Sequence, residues 1–141
     1  MSTLVDEVNE SLRGTLPELM GMHFTQVDPD RVQAHMPVHG KLLAPNGYLH
    51  AGSLVTLADT CCGVGCRSQL PKGGVGFTTI ELKSNHLATA REGTVECSAA
   101  PVHMGRTTQV WDAVVKHRDT GKTLVMFRCT QMILYPAPDK G

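Results

Sequence analysis

The sequence predicts an α+β domain in which one long helix is wrapped by a curved antiparallel sheet of six strands. Three observations predict it. Residues 54–66 are apolar or small almost without interruption for the length of a helix, broken by a single aspartate. Four β-rich runs follow, at about 75–88, 94–102, 107–117 and 123–134, separated by the short Gly-bearing stretches TAREG, HMGR and RDTGK. Two further strand-like runs precede the helix. An antiparallel sheet can leave one face in water but must bury the other, and one long helix across a curved sheet does that.

At 141 residues with 41% hydrophobic content, the chain has room for one core, so residues 1–141 read as a single domain. Leu4, Val8 and Leu12 recur at helical spacing behind Thr3 and before Gly14, which predicts a short N-terminal amphipathic helix within residues 1–14. Strands are expected over 21–27 and 31–38, where Val32, Ala34, Met36 and Val38 alternate with polar residues after a turn at DPD. The loop HGKLLAPNGY leads into the long helix, which should begin near Ala51 or Gly52. LPKGG is turn chemistry, four strands joined by tight turns form a meander, and residues 135–141 read as a loose tail.

Thirteen basic and thirteen acidic residues cancel and lie scattered, so no nucleic-acid footprint is present. The N-terminal residues lack a basic start and an apolar run, and no stretch approaches a membrane span, so a cytoplasmic protein without membrane contact is expected. The five cysteines are odd in number and lie mostly in apolar elements, which suits reduced, packed thiols.

Asp59 is the residue that ordinary packing does not explain, because a buried, unpaired carboxylate is costly. On a helix, Gly52, Thr56, Asp59 and Gly63 fall on one stripe that is small or polar, as a substrate-facing stripe would be. The first N–H groups of the same helix have no intrahelical partner and suit a carbonyl oxygen becoming an oxyanion. His50 immediately precedes them. A carboxylate that attacks a carbonyl carbon or takes a proton from water, together with such donors, would make an acyl-transfer site with no Ser or Cys nucleophile. His50, Asp59, Cys61, Cys62 and Cys66 show no metal-ligand spacing, so neither a metal nor a cofactor is expected.

In this region the chain resembles the hotdog-fold acyl-CoA thioesterases, in the branch related to the PaaI-like phenylacetate-pathway enzymes and one class of 4-hydroxybenzoyl-CoA thioesterase. That branch carries G-x-x-H-G-G and then an Asp or Glu nine residues after the His; Gly47, His50 and Asp59 keep this spacing in NGYLHAGSLVTLADT. TTIELKSNHL and GRTTQVWDAVV…TGKTL resemble the family's later strands, so the likeness runs over roughly residues 20–134. The resemblance implies hydrolysis of an aryl- or aliphatic acyl-CoA, with Asp59 as nucleophile or general base and the N–H of Ala51, aided by the dipole at Gly52, polarising the thioester carbonyl. It further implies that His50 orients the thioester, that Thr79 lies near the attacking water and that His86 matches a histidine some members use; Asn46 and Gly47 of the loop, His86, and the basic Arg106 are the candidate substrate contacts. Lys83 and Arg91 are further basic residues that could meet CoA phosphates, with Arg106 in HMGRT the more suggestive. A homodimer as the minimal site, paired into a dimer of dimers, is implied as well. Two positions depart from the family pattern: Ala51 stands where Gly is usual, and Ala44 stands where many members carry Asn or Gln, with Asn46 two residues later. The alternatives are an acyl-CoA-binding module without catalysis and an enoyl thioester hydratase; the hydratase is disfavoured because its pattern places Asp before His.

Overall fold

The computed structural model of the protein describes residues 2–138, and the chain's first residue and residues 139–141, the end of the expected tail, lie outside it. Helix α1 spans Leu4–Ser11, capped by a reciprocal box in which Thr3 accepts from the Asp6 N–H and Asp6 accepts from the Thr3 N–H. Asn9 on α1 bonds both the N–H and the C=O of Phe24, at 2.8 and 2.9 Å, so its amide completes the backbone of the first strand.

A second short helix, α2 (Leu16–Met20), occupies a stretch for which no element was expected. Pro17 suits its first turn, and Gly21 closes it at φ +82, a left-handed position that favours glycine. The first strand therefore starts later than the expected residue 21: β1 covers His23–Asp28 and β2 covers Arg31–Pro37, paired through the two-residue turn at Pro29 and Asp30. The long helix is α3 (Ala51–Ser68), followed by β3 (Gly76–His86), β4 (Thr94–Met104), β5 (Thr108–His117) and β6 (Thr123–Leu134).

All six strands form one antiparallel sheet in the order β1-β2-β4-β5-β6-β3. Register shifts in β1, β3, β4 and between β5 and β6 bend it. Its concave face holds Val32, Ala34, Met36, Val95, Cys97, Ala99, Trp111, Ala113 and Val115, all buried against α3. The packing is closest at Gly65, where an added Cβ would come within 2.4 Å of the Trp111 ring. All five cysteines are free and buried, as packed thiols should be.

The helix is buried on one side and open along one stripe. Leu54, Leu57, Ala58, Cys61 and Cys62 face the sheet, while Val55, Thr56, Asp59, Thr60, Gly63 and Val64 form a half-exposed stripe. The stripe looks toward β3, the strand at the end of the sheet. Among the described residues β3 has a free edge, and its Ile80 and Leu82 are 54% and 42% exposed. No helix of the described residues is long and apolar enough to cross a membrane.

Candidate active site

The start of α3 is set by His50, whose extended backbone (φ −64, ψ 136) makes it the N-cap. Its ring Nδ1 accepts the Gly52 N–H at 2.8 Å. Accepting there requires an unprotonated Nδ1, so the neutral ring carries its proton on Nε2 and offers that N–H as a donor. The N–H groups of Ser53 and Leu54 return to the His50 carbonyl at 3.0 and 3.4 Å. The Ala51 N–H is left without a hydrogen-bond partner among the described residues. Two adjacent donors, the Ala51 N–H and the His50 ring, thus mark the positive end of the helix dipole.

The loop in front of them is pinned on both sides. Leu43 bridges Leu49, the Ala44 N–H bonds the Tyr48 carbonyl at 2.7 Å, and the Leu49 N–H bonds the Ala90 carbonyl at 2.8 Å. Gly47 turns this loop at φ +86, and Asn46 sits at its tip with Oδ1 accepting the Tyr48 N–H at 3.1 Å. Arg91, which follows Ala90, lies over the Tyr48 ring at 5.0 Å. A cavity of about 550 Å³ opens between α2 and the first turns of α3, lined by Leu16, Leu19, Met20, Leu42, His50 and Thr56.

Asp59 is half-buried on the open stripe, and its one hydrogen-bond partner among the described residues is Thr79 of β3, whose Oγ1 stands 3.3 Å from Asp59 Oδ1. Burial holds this carboxyl above its ordinary range, and the Thr79 hydroxyl pulls it part of the way back. No ion pair among the described residues includes it. Behind Thr79 stands Gln131 of β6, its cross-strand neighbour, fully buried and 2.6 Å from the same hydroxyl. Gln109 of β5 lies opposite Gln131, also fully buried, accepting the Trp111 indole N–H at 2.8 Å and donating to the Gln69 carbonyl at 3.0 Å. Neither glutamine stood out in the sequence. The available signal was a polar side chain on the sheet-inward phase of an alternating strand.

The structure therefore brings together His50, Ala51 and Gly52, with Asn46 and Gly47 in the loop before them, and separately joins Asp59 to Thr79. His86 sits at the far end of β3, its ring Nε2 3.0 Å from Ser84 Oγ, on the same face of the strand as Thr79. Arg106 lies in the β4–β5 turn, where its carbonyl accepts the Tyr135 hydroxyl. That turn adjoins Gln109, which is bonded to Gln69 at the C-terminal end of α3, so within one copy Arg106 is at the opposite end of the helix from His50. Asp59 and the Ala51 N–H share the stripe, but eight residues of α-helix separate them by about 12 Å. One copy cannot present both to a single carbonyl group.

One central helix wrapped by a curved six-stranded antiparallel sheet is the hotdog arrangement, and the protein is a hotdog thioester hydrolase. Residues 46–124 match the model of the Thioesterase superfamily, and the chain belongs to that family. It is similar to the 1,4-dihydroxy-2-naphthoyl-CoA hydrolase of Listeria monocytogenes, 32% identical over 82% of this chain and 92% of that protein. It is also similar to the proofreading thioesterase EntH of Cronobacter turicensis, 30% identical over 79% of this chain and 80% of that one. The crystal structure of a mutant thioesterase PA1618 from Pseudomonas aeruginosa superimposes with a TM-score of 0.88 at 30% identity, covering 95% of this chain and 96% of the other.

Proposed function

We propose that the protein hydrolyses an aryl- or aliphatic acyl-CoA to the free acid and CoA, with Asp59 supplying the carboxylate and the Ala51 N–H and His50 Nε2–H holding the carbonyl oxygen. The observation that carries the reading is Asp59 itself: a half-buried carboxylate with a single hydroxyl partner among the described residues, on the open stripe of an otherwise buried helix. As general base it takes a proton from water while the water oxygen bonds to the carbonyl carbon; the C–S bond then breaks and the proton passes to the departing CoA sulfur. As nucleophile it forms a mixed anhydride with release of CoA, and water then cleaves the anhydride. Both routes build negative charge on the carbonyl oxygen, where the helix-end donors are worth most. The relatives named as CoA hydrolases support CoA as the carrier.

The separation of about 12 Å between carboxylate and N–H calls for a second copy. If two α3 helices lie antiparallel about a two-fold axis near residue 55, Asp59 of one copy comes beside Ala51 of the other, and the half-exposed Val55 lies at the crossing. The free edge of β3, with Ile80 and Leu82 exposed, supports the same pairing, because an apolar edge strand in water invites another strand. The two-fold also carries Arg106 from the C-terminal end of one α3 toward the Asn46–His50 loop of the other copy. We assign Asn46, Gly47, His86 and Arg106 to the outer contacts of the substrate on that basis.

Asp59→Asn keeps the side-chain volume and removes the basicity. With a panel of aryl, short, medium and long acyl-CoA substrates, kcat should fall about 10²- to 10⁴-fold on whichever substrate the native protein prefers, with KM changed little. Near-native turnover by a folded Asp59→Asn protein would remove Asp59 from the reaction.

A further inference from the structure

The Thr79 hydroxyl has one proton and two acceptors within reach, Gln131 Oε1 at 2.6 Å and Asp59 Oδ1 at 3.3 Å. A hydroxyl donates to one acceptor at a time, and the shorter contact takes the proton. We propose that Gln131 is a positioning residue that draws the Thr79 proton away from Asp59, leaving the carboxylate short of hydrogen bonds and therefore basic. The inference rests on the reading of Asp59 as the reacting carboxylate.

Gln131 is built for such a role. It is fully buried in β6 directly opposite Thr79, and its amide Nε2 is turned the other way, toward Cys129 Sγ at 3.5 Å. The Cys129 thiol in turn neighbours Cys62 of α3 and helps hold that thiol above its ordinary value. A buried amide in an apolar sheet is costly unless it is paired, and the short bond this one makes is to Thr79.

The groups facing Asp59 leave Thr79 as the deciding neighbour. On its own helix the titratable neighbour is the Cys62 thiol, held far above its ordinary value by the neighbouring Cys129 thiol and by burial. On β6 it is Cys129, and on β3 the facing side chain is the uncharged Thr79. No lysine, arginine or histidine pairs with the carboxyl among the described residues. With its proton drawn mostly toward Gln131, the Thr79 hydroxyl gives Asp59 only the long 3.3 Å contact, which lowers the carboxyl less than burial raises it. The hydroxyl oxygen can then accept from the carboxyl once Asp59 has taken the proton of water, which favours the protonated state midway through the reaction.

The test titrates Asp59 directly, by carboxyl ¹³C NMR on the assembled protein, alongside the pH profile of kcat/KM. Gln131→Leu removes the competing acceptor, so the Thr79 proton turns to Asp59; the carboxyl pKa should fall by about one unit, with the acid limb of kcat/KM moving down equally. With Thr79→Val there is no proton to turn, so adding Gln131→Leu to that variant should leave its Asp59 titration unmoved. Gln131→Met, closer in shape, should reproduce the Gln131→Leu shift and serves if the leucine variant misfolds. An Asp59 titration unmoved in both Gln131 variants, or moved upward, would overturn the proposal; upward movement would mean that the amide gives Nε2–H to Thr79 and that the hydroxyl already serves Asp59. The NMR titration needs no turnover. Asp59→Asn retaining activity would therefore sink the reading of the carboxylate while leaving the Gln131 question separately answered.

Discussion

The oxyanion site can be removed without disturbing the helix that carries it, because the donor is a backbone group at the first helical position. Ala51→Pro deletes that one N–H. Proline is favoured at the first residue of a helix, where the missing N–H has no intrahelical partner, and it requires an extended residue before it. His50 already has φ −64 and ψ 136, and the Ala51 N–H makes no bond among the described residues that folding would lose. Stability should therefore change by less than about 0.5 kcal/mol, measured as the urea midpoint. Turnover should fall about 10²- to 10³-fold, the cost of one oxyanion donor. The same variant tests whether the site is shared. If a site takes its N–H from one copy and its carboxylate from the other, a mixed dimer of Ala51→Pro with Asp59→Asn has one site with both defects and one with neither. Co-refolding equal amounts of the two nearly inactive proteins makes half the dimers mixed, so about one quarter of native activity should return. Were carboxylate and donor to act from a single copy, every site in the mixture would keep one defect and nothing would return. Activity of unmixed Ala51→Pro within a few-fold of native would remove the Ala51 N–H from catalysis.

Two further outcomes follow from the packing and from the Asp59 carboxyl. Burial raises the folded-state pKa of Asp59 above its unfolded value, so the folded protein holds that proton more tightly and stability is lost as pH rises from the unfolded pKa through the folded one; Asp59→Asn should be more stable than native by chemical denaturation at pH 7, with the difference closing below about pH 4, and no gain at pH 7 would contradict the burial of the charge. Gly65→Ala should destabilise by roughly 1–3 kcal/mol despite the better helix propensity of alanine, because three Trp111 ring atoms lie within 2.9 Å of the added Cβ, and an unchanged melting temperature would show that the helix can lift from the sheet freely.

The fold was legible where local chemistry and burial agree. β6 falls at the expected 123–134, and α3 opens at Ala51 because its loop, its N-cap and its apolar run all change character at the same residue. α2 was not legible: five residues are too few for a helical period to show, and Pro17 reads as readily as a turn. The open stripe of α3 was legible in Thr56, Asp59 and Gly63, all half-exposed, because small and polar residues recur there at helical spacing, although the apolar run alone does not tell that Val55 and Val64 flank it. Asp59 stood out because a carboxylate among alanines and cysteines conflicts with packing. Gln131 and Gln109 carry the same conflict more quietly. Neutral amides are common on strands, and only the observed register shows that both point inward. The distance between Asp59 and Ala51 follows from the helix rise alone, yet it becomes informative only once both are known to lie on one unbroken helix.

The glycines of α3 show how packing and chemistry divide this helix. Glycine costs up to about 1 kcal/mol against alanine in a helix interior, so each needs a reason. At Gly65 the reason is the sheet: Trp111 occupies the space of a side chain. Gly63 lies one turn beyond Asp59 on the open stripe, where a Cβ would meet the Phe77 ring at 3.1 Å. Phe77 and Thr79 stand two residues apart on the same face of β3, before its register shift, so pushing Phe77 outward would tilt the strand that holds the Thr79 hydroxyl against Asp59. The absent side chain at 63 lets β3 approach the helix closely enough for that contact, and the shift between Thr79 and Glu81 then turns the rest of β3 away. The carboxylate is thus set by three local choices, a glycine on the helix, a bulge in the edge strand and a buried amide behind it, none of which touches the substrate in the proposed mechanism.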